Sequence, residues 1–195
     1  MNFLAHIYLS GEDEHVKIGN YMADSVGNKI DDFPSGVKKG ILLHRAIDTY
    51  TDQHPVFRQG TKRLHPIYHH YAGVIMDMFY DHLLAKNWSK YSDVPLENYA
   101  QDFYDILRRN ENILAEKTKK QSSYMIQYNW LTEYASLEGI GVILAQMDHR
   151  TKHKSGMANS VKELKQYYSE FEQEFFAFFE DMEQFVANKK AELEI

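Results

Sequence analysis

The 195-residue chain has no cysteine. Disulfides, thiolate metal sites and cysteine nucleophiles are therefore excluded. Proline is scarce, with Pro34, Pro55, Pro66 and Pro95 the only four, and no glycine lies between Gly73 and Gly139. Breakers this sparse favour long helices, and no alternating run flanked by turn signals reads as a strand. No apolar run approaches the ~18 residues of a membrane span. The opening residues lack the positive segment and long apolar stretch of a secretory signal, so a cytoplasmic protein without a membrane partner is expected. Positive charge is not in excess either: 22 Lys and Arg against 28 Asp and Glu give 22 − 28 = −6. That balance is a poor basis for nucleic-acid binding, and no nucleic-acid partner is expected.

What remains is rich in aromatics (14%) and in histidine, with eight of the ten histidines at or before His82. The length suffices for a core without staples. No repeat, linker or low-complexity run divides the chain, so one all-α domain, a helical bundle over 1–195, is expected. The spacing predicts helices over about Asn2–Leu9, Glu12–Val26, a third capped by Ser35 and running through Asp52, a short segment opened by His54-Pro55, and Tyr68–Trp88. Further helices are expected from Pro95 to about Lys117, at Ser123–Ser136 and at Leu137–Arg150. The last begins at the capping-box pattern Ser160-Val161-Lys162-Glu163 and runs to near the end. It carries Leu164, Tyr168, Phe171, Phe175, Phe178, Met182 and Phe185 at heptad steps. This stripe is expected to be an intramolecular core, with a homodimer seam as the alternative.

The acidic residues change type along the chain. From Met1 to His82 there are eight Asp and two Glu; from Val161 to Ile195 there are eight Glu and one Asp. Glu on the late helix follows helix propensity, whereas Asp inside a helix is mildly unfavourable. Asp24, Asp48, Asp77 and Asp81 all fall inside expected helices. A short, stiff carboxylate is useful where an oxygen must be held still, as at a metal ion. His44, Asp48 and Asp52 are each four apart and share a helix face. Asp77 and Asp81 repeat the step, with His82 adjacent. The competing reading is a solvated face, because His44, Asp48 and Asp52 lie opposite the apolar stripe of Ile41, Leu42, Leu43, Ala46, Ile47 and Tyr50. His6 and Asp24 likewise oppose their apolar neighbours. Imidazole and carboxylate ligation without thiolate suits Mn²⁺, Fe²⁺, Mg²⁺ or Zn²⁺.

These residues stand in a series of words: Met1-Asn2-Phe3-Leu4-Ala5-His6, Gly19-Asn20-Tyr21-Met22-Ala23-Asp24, Gly40-Ile41-Leu42-Leu43-His44-Arg45-Ala46-Ile47-Asp48, Thr51-Asp52, and Asp77-Met78-Phe79-Tyr80-Asp81-His82 with Trp88. In this order, up to about Trp88, they resemble the acyl carrier protein phosphodiesterase family, described as a divergent branch of the all-α, metal-dependent HD phosphohydrolases. The resemblance implies a Mn²⁺-dependent hydrolase, with Mg²⁺ or Fe²⁺ as other possible ions. It would remove 4′-phosphopantetheine from holo-acyl carrier protein and leave the apo form. It places the metal-site helices within about 1–90, with the second half completing the bundle. The sequence has no His-Asp dipeptide; Asp81-His82 is the reverse order, and His44 with Asp48 gives a spaced version.

On this footing Asp24, His44, Asp48 and Asp77 are expected to supply most of the metal shell, with His6 as a further ligand or an orienting partner. Asp81 and His82 are likewise expected as further ligands or orienting partners near the chemistry, His82 also to protonate the leaving oxygen, and Arg45 to neutralise phosphate charge. Asp52 is assigned turn duties. His65, His69 and His70 are read as surface or packing residues, and His149, Arg150, Lys152, His153 and Lys154 as solvated. Acyl carrier proteins are acidic, so docking requires a local basic patch: Arg58, Lys62 and Arg63, or Arg108, Arg109, Lys117, Lys119 and Lys120. The rival readings are a hydrolase of another phosphoester (a nucleotide or a pantetheine derivative) and a non-catalytic helical module that binds a protein.

Overall fold

A computed structural model describes residues 2–28 and 30–195. The described residues are all-α, as expected. Their helices are α1 (Phe3–Leu9), α2 (Glu14–Met22), α3 (Ser35–Gln53), α4 (Pro55–Tyr68), α5 (Ala72–Lys86), α6 (Leu96–Arg109), α7 (Glu116–Gln127), α8 (Trp130–Glu133), α9 (Leu137–Arg150), α10 (Val161–Gln166) and α11 (Tyr168–Glu192). One apolar core extends from Leu4 to Val186. No helix among the described residues is long and apolar enough to cross a membrane.

The ends of the helices differ from the expected ones for local reasons. α2 starts where the Asp13 carboxylate accepts the Val16 N–H at 3.0 Å, and it tightens after Met22 into a 3-10 turn, Ala23–Ser25, which carries Asp24. Pro34, not Ser35, holds the position before α3, and Ser35 is its first helical residue. The short fourth segment is a full 14-residue helix with Pro55 in its first turn, where a missing N–H costs nothing. Pro66 lies in its last turn, and His69 at φ 49° separates α4 from α5, so the expected Tyr68–Trp88 helix starts later. The Pro95–Lys117 segment breaks after Arg109, and α7 begins at Glu116. The expected Ser123–Ser136 helix is split where Asn129 takes φ 47° before α8. The Ser160 hydroxyl donates to the Met157 carbonyl rather than capping, and the chain breaks at Tyr167 between α10 and α11.

The heptad stripe is used within the chain. Leu164, Phe171, Phe175, Phe178 and Met182 are fully buried, and α11 packs on α3, α4 and α5. This replaces the dimer-seam alternative for the stripe, because its central side chains already face a core.

Two contacts place the N-terminal helices. Gly19 and Gly40 let α2 and α3 touch backbone to backbone: a Cβ on Gly40 would lie 2.2 Å from the Val16 carbonyl oxygen, and one on Gly19 would lie 2.0 Å from that of Val37. α1 is held at its N-terminus by Asn2, whose side chain accepts the Phe3 N–H at 2.9 Å. The buried Asp81 carboxylate of α5 accepts the N–H of Leu4 at 2.8 Å and of Ala5 at 3.3 Å. These are first-turn donors that the helix itself cannot satisfy.

Candidate metal centre

Three helices bring His6 (α1), His44 and Asp48 (α3) and Asn20 (α2) together. The two imidazoles stack with centroids 4.1 Å apart and planes 21° from parallel. Both are buried, at 2% and 6% exposure. The solvated-face reading therefore fails for these two, because α2 packs along α3 and His6 of α1 stacks on His44; it holds for Asp24 and Asp52, which stay exposed.

Asn20 fixes both rings. Its amide nitrogen donates to the His6 carbonyl and to Ser10 Oγ, each at 2.9 Å. Its Oδ1 is thereby turned to accept from Nδ1 of His6 at 2.7 Å and of His44 at 3.2 Å. With Nδ1 as the donor in each ring, both Nε2 atoms point to the same carboxylate: His6 Nε2 lies 3.1 Å from Asp48 Oδ1 and His44 Nε2 3.0 Å from Asp48 Oδ2. His44 Nε2 is also 3.3 Å from Asp24 Oδ1. Ligand atoms of His6, His44 and Asp48 fall within 4.8 Å of one another.

The charges follow from these contacts. Burial and the neighbouring His44 push His6 down to about 4. Burial also opposes a charge on His44, but hydrogen bonds to Asp24 and Asp48 outweigh it and lift the ring to about 9. Burial would raise Asp48, yet the two histidines hold it well below the usual carboxylate range. The hydrogen bond from His44 lowers Asp24, whose side chain is largely exposed. A proton on His44 reconciles its Nε2 with the acids. A neutral His6 instead presents a lone pair to a carboxylate oxygen, two acceptors face to face. A divalent cation between them removes that conflict, and the orienting Asn20 is the kind of partner a ligating histidine requires. The donor set therefore fits a hard or borderline cation.

Asp24 and Asp77 stand at the edge of this cluster. Both line a cavity of about 220 Å³ walled by Phe3, Val74, Met78, Ile143 and Met147. Burial raises the Asp77 pKa, and the carboxylates of Asp48 and Asp52 raise it further.

The other expected groups lie elsewhere. Asp81 is spent on the α1 backbone, with burial pushing it up to about 7. His82 is buried on the far side of α5: its Nδ1 donates to the Tyr134 carbonyl at 2.7 Å, and its Nε2 accepts from the Tyr168 hydroxyl at 3.2 Å. Arg45 reaches the Gly27 carbonyl at 3.0 Å and lines a separate groove between α3 and α11. Asp52 is exposed, one turn beyond Asp48.

Sequence reasoning gave Asn20 no role, since one asparagine in a helix has no periodic signature. It read Arg150 as solvated, and Arg150 is exposed; what it did not show is the cavity that Arg150 lines. Arg150 lines the 220 Å³ cavity and lies 5.6 Å over the Trp130 ring. Trp130 Nε1 and the Tyr134 hydroxyl, on residues lining that cavity, are buried without a hydrogen-bond partner.

Fold and site together define an all-α protein with a candidate imidazole–carboxylate centre for a divalent cation. Comparison with known proteins carries the assignment further: residues 1–182 match the family described as acyl carrier protein phosphodiesterase, and the chain belongs to that family. Its relatives include the acyl carrier protein phosphodiesterase of Photorhabdus laumondii subsp. laumondii, 32% identical over 193 residues, 97% of this chain and 96% of the other. That of Pectobacterium atrosepticum is 30% identical over 186 residues, covering 94% and 96%. That of Serratia proteamaculans is 28% identical over 192 residues, covering 97% and 100%. No solved structure matches the chain.

Proposed function

We propose that this protein hydrolyses the phosphodiester of holo-acyl carrier protein, releasing 4′-phosphopantetheine and leaving the apo carrier, with a divalent cation held by His6, His44 and Asp48. Water adds to phosphorus, the bond to the carrier serine oxygen breaks, and that oxygen takes a proton. Family membership supports the reaction. The observation that carries the metal is the convergence of two Nε2 atoms on Asp48 with both Nδ1 atoms already engaged by Asn20. A cation bound there supplies Lewis acidity toward a phosphoryl oxygen and toward water.

The chain's own groups do the positioning. Asn20 holds both rings in register. Asp24 and Asp77 face the adjoining cavity, where they can complete the shell or orient water. Arg150 lines the same cavity and takes the phosphate-neutralising role expected of Arg45. The apolar walls and the unpartnered donors on Trp130 and Tyr134 suit a slim arm that alternates methylenes with amide carbonyls. His44 and Asp48 on one face of α3 give the spaced histidine–aspartate pair of an HD-like centre. Mn²⁺ is the proposed ion, Mg²⁺ and Fe²⁺ satisfy the same donors, and the setting is cytoplasmic.

Holo-acyl carrier protein incubated with the protein and Mn²⁺, then weighed by mass spectrometry, tests this directly. The carrier is expected to lose the mass of its prosthetic arm, and EDTA is expected to stop the loss. Asp48→Ala and Asp77→Ala are expected to abolish it while the far-UV helical signal persists. An unchanged carrier beside cleavage of a nucleotide or free pantetheine phosphoester would establish the rival hydrolase instead.

A further inference from the structure

We infer that the acidic carrier docks on α4, across Arg58 and Lys62; this rests on the proposed substrate. Most other candidate cations are already paired. Arg63 holds Glu174 at 2.6 Å, Arg108 holds Asp105 at 2.6 Å, Lys119 holds Glu116 at 2.6 Å, and Arg109 is tied to Glu14. Arg58 and Lys62, one turn apart, are exposed and make no ion pair among the described residues. With His65, His69 and Asp52 they line an open hollow of about 320 Å³.

That hollow abuts the candidate metal centre from two helices. Asp52 at its inner end is one turn beyond Asp48 on α3, and Gly73 on its rim is one turn before Asp77 on α5. A Cβ on Gly73 would meet nothing within 4 Å, so the rim is open. On the other flank of the centre lies the narrower cavity, walled by Trp130, Tyr134 and apolar side chains, with Asp24, Asp77 and Arg150 also lining it. A diester joining a slim amide arm to a folded acidic protein has two unlike halves, and the two flanks are unlike in the same sense. The broad cationic flank takes the protein and the narrow one the arm, which leaves the phosphorus over the cluster.

Two other basic surfaces compete less well. Lys117 and Lys120 are exposed on α7, but no α7 residue lines either hollow beside the centre. The turn after α9 carries Lys152 and Lys154, exposed like Arg58 and Lys62, but neither lines a hollow beside the centre.

The test measures binding of fluorescently labelled holo-carrier, and its turnover, for the wild type, Arg58→Glu/Lys62→Glu and Lys152→Glu/Lys154→Glu. The α4 double variant is expected to raise Kd and KM by about tenfold or more at low salt and to flatten their salt dependence. Its kcat, and its hydrolysis of bis(p-nitrophenyl) phosphate with Mn²⁺, stay at wild-type level. Unchanged binding by the α4 variant, or a loss confined to the α9 variant, overturns the inference, as does a wild type that does not bind the carrier. A wild type that binds through α4 but leaves the prosthetic arm in place refutes the hydrolase reading and leaves the docking face standing.

Discussion

Asn20 is the residue on which both imidazoles depend. Replacing it with alanine strips the acceptor from two buried Nδ1–H groups at once. Each loses its tautomer lock, and each is left a buried donor without a partner. Asn20→Ala is expected to weaken Mn²⁺ binding by about 10–100-fold in isothermal titration, and to lower unfolding free energy by about 1–3 kcal/mol in urea. Unchanged Mn²⁺ affinity would show that the rings are positioned by packing alone. The candidate ligands are legible as residue types at a spacing: an imidazole and a carboxylate four apart on α3, and an early histidine in α1. Asn20 is not, because what makes it functional is a contact across three helices. His82 shows the reverse error. Its place beside Asp81 suggested chemistry, but one helical step turns it about 100°, into a pocket made by Tyr134 and Tyr168.

At the scale of the helix, the site is built by close approach. α2 and α3 meet through glycine, and Asn20 and His44 lie one and four residues beyond Gly19 and Gly40. A methyl group at Gly40 would sit 2.2 Å from the Val16 carbonyl and 2.8 Å from the Asn20 nitrogen, both backbone atoms that cannot swing aside. Gly40→Ala is therefore expected to cost about 3 kcal/mol by overpacking and to reduce Mn²⁺ affinity as α2 is pushed away. Gly27→Ala, which meets open space, is expected to stay within about 0.5 kcal/mol of the parent. Equal midpoints for the two variants in urea would refute the close-approach account. In the sequence these glycines stand inside two expected helices, with nothing to mark a close approach. The sequence also placed the helix ends poorly, since a 3-10 turn at Asp24, a left-handed Asn129 and a break at Tyr167 reflect tertiary demands that propensity does not encode.

Across the whole molecule, the amphipathic wheel of α3 placed Asp52 in solvent correctly and misread His44, because helical periodicity does not see what packs against a helix. α2 and the His6 ring of α1 cover His44, so both histidines are buried, and the fold answers to pH on both sides. His6 is pushed down to about 4, and burial lowers His82 from its usual 6.5. As pH falls below 6.5 the unfolded chain takes up protons on these rings that the folded chain refuses, so stability falls with pH toward 4. His44, lifted to about 9, acts oppositely: its contribution is full below 6.5 and is lost as pH rises through 9. Burial pushes Asp81 up to about 7, so between pH 7 and pH 5 the folded chain takes up a proton there that the unfolded chain does not, and this gain opposes the loss from the two rings. The share of His82 is therefore read as a difference, from urea unfolding of the metal-free wild type and of His82→Gln at pH 7 and pH 5. His82→Gln keeps a donor for the Tyr134 carbonyl but has nothing to titrate, so its stability relative to the wild type is expected to rise from pH 7 to pH 5. Parallel changes in the two proteins would mean that His82 is protonated in the folded state, and its hydrogen bonds to Tyr134 and Tyr168 would then need another arrangement.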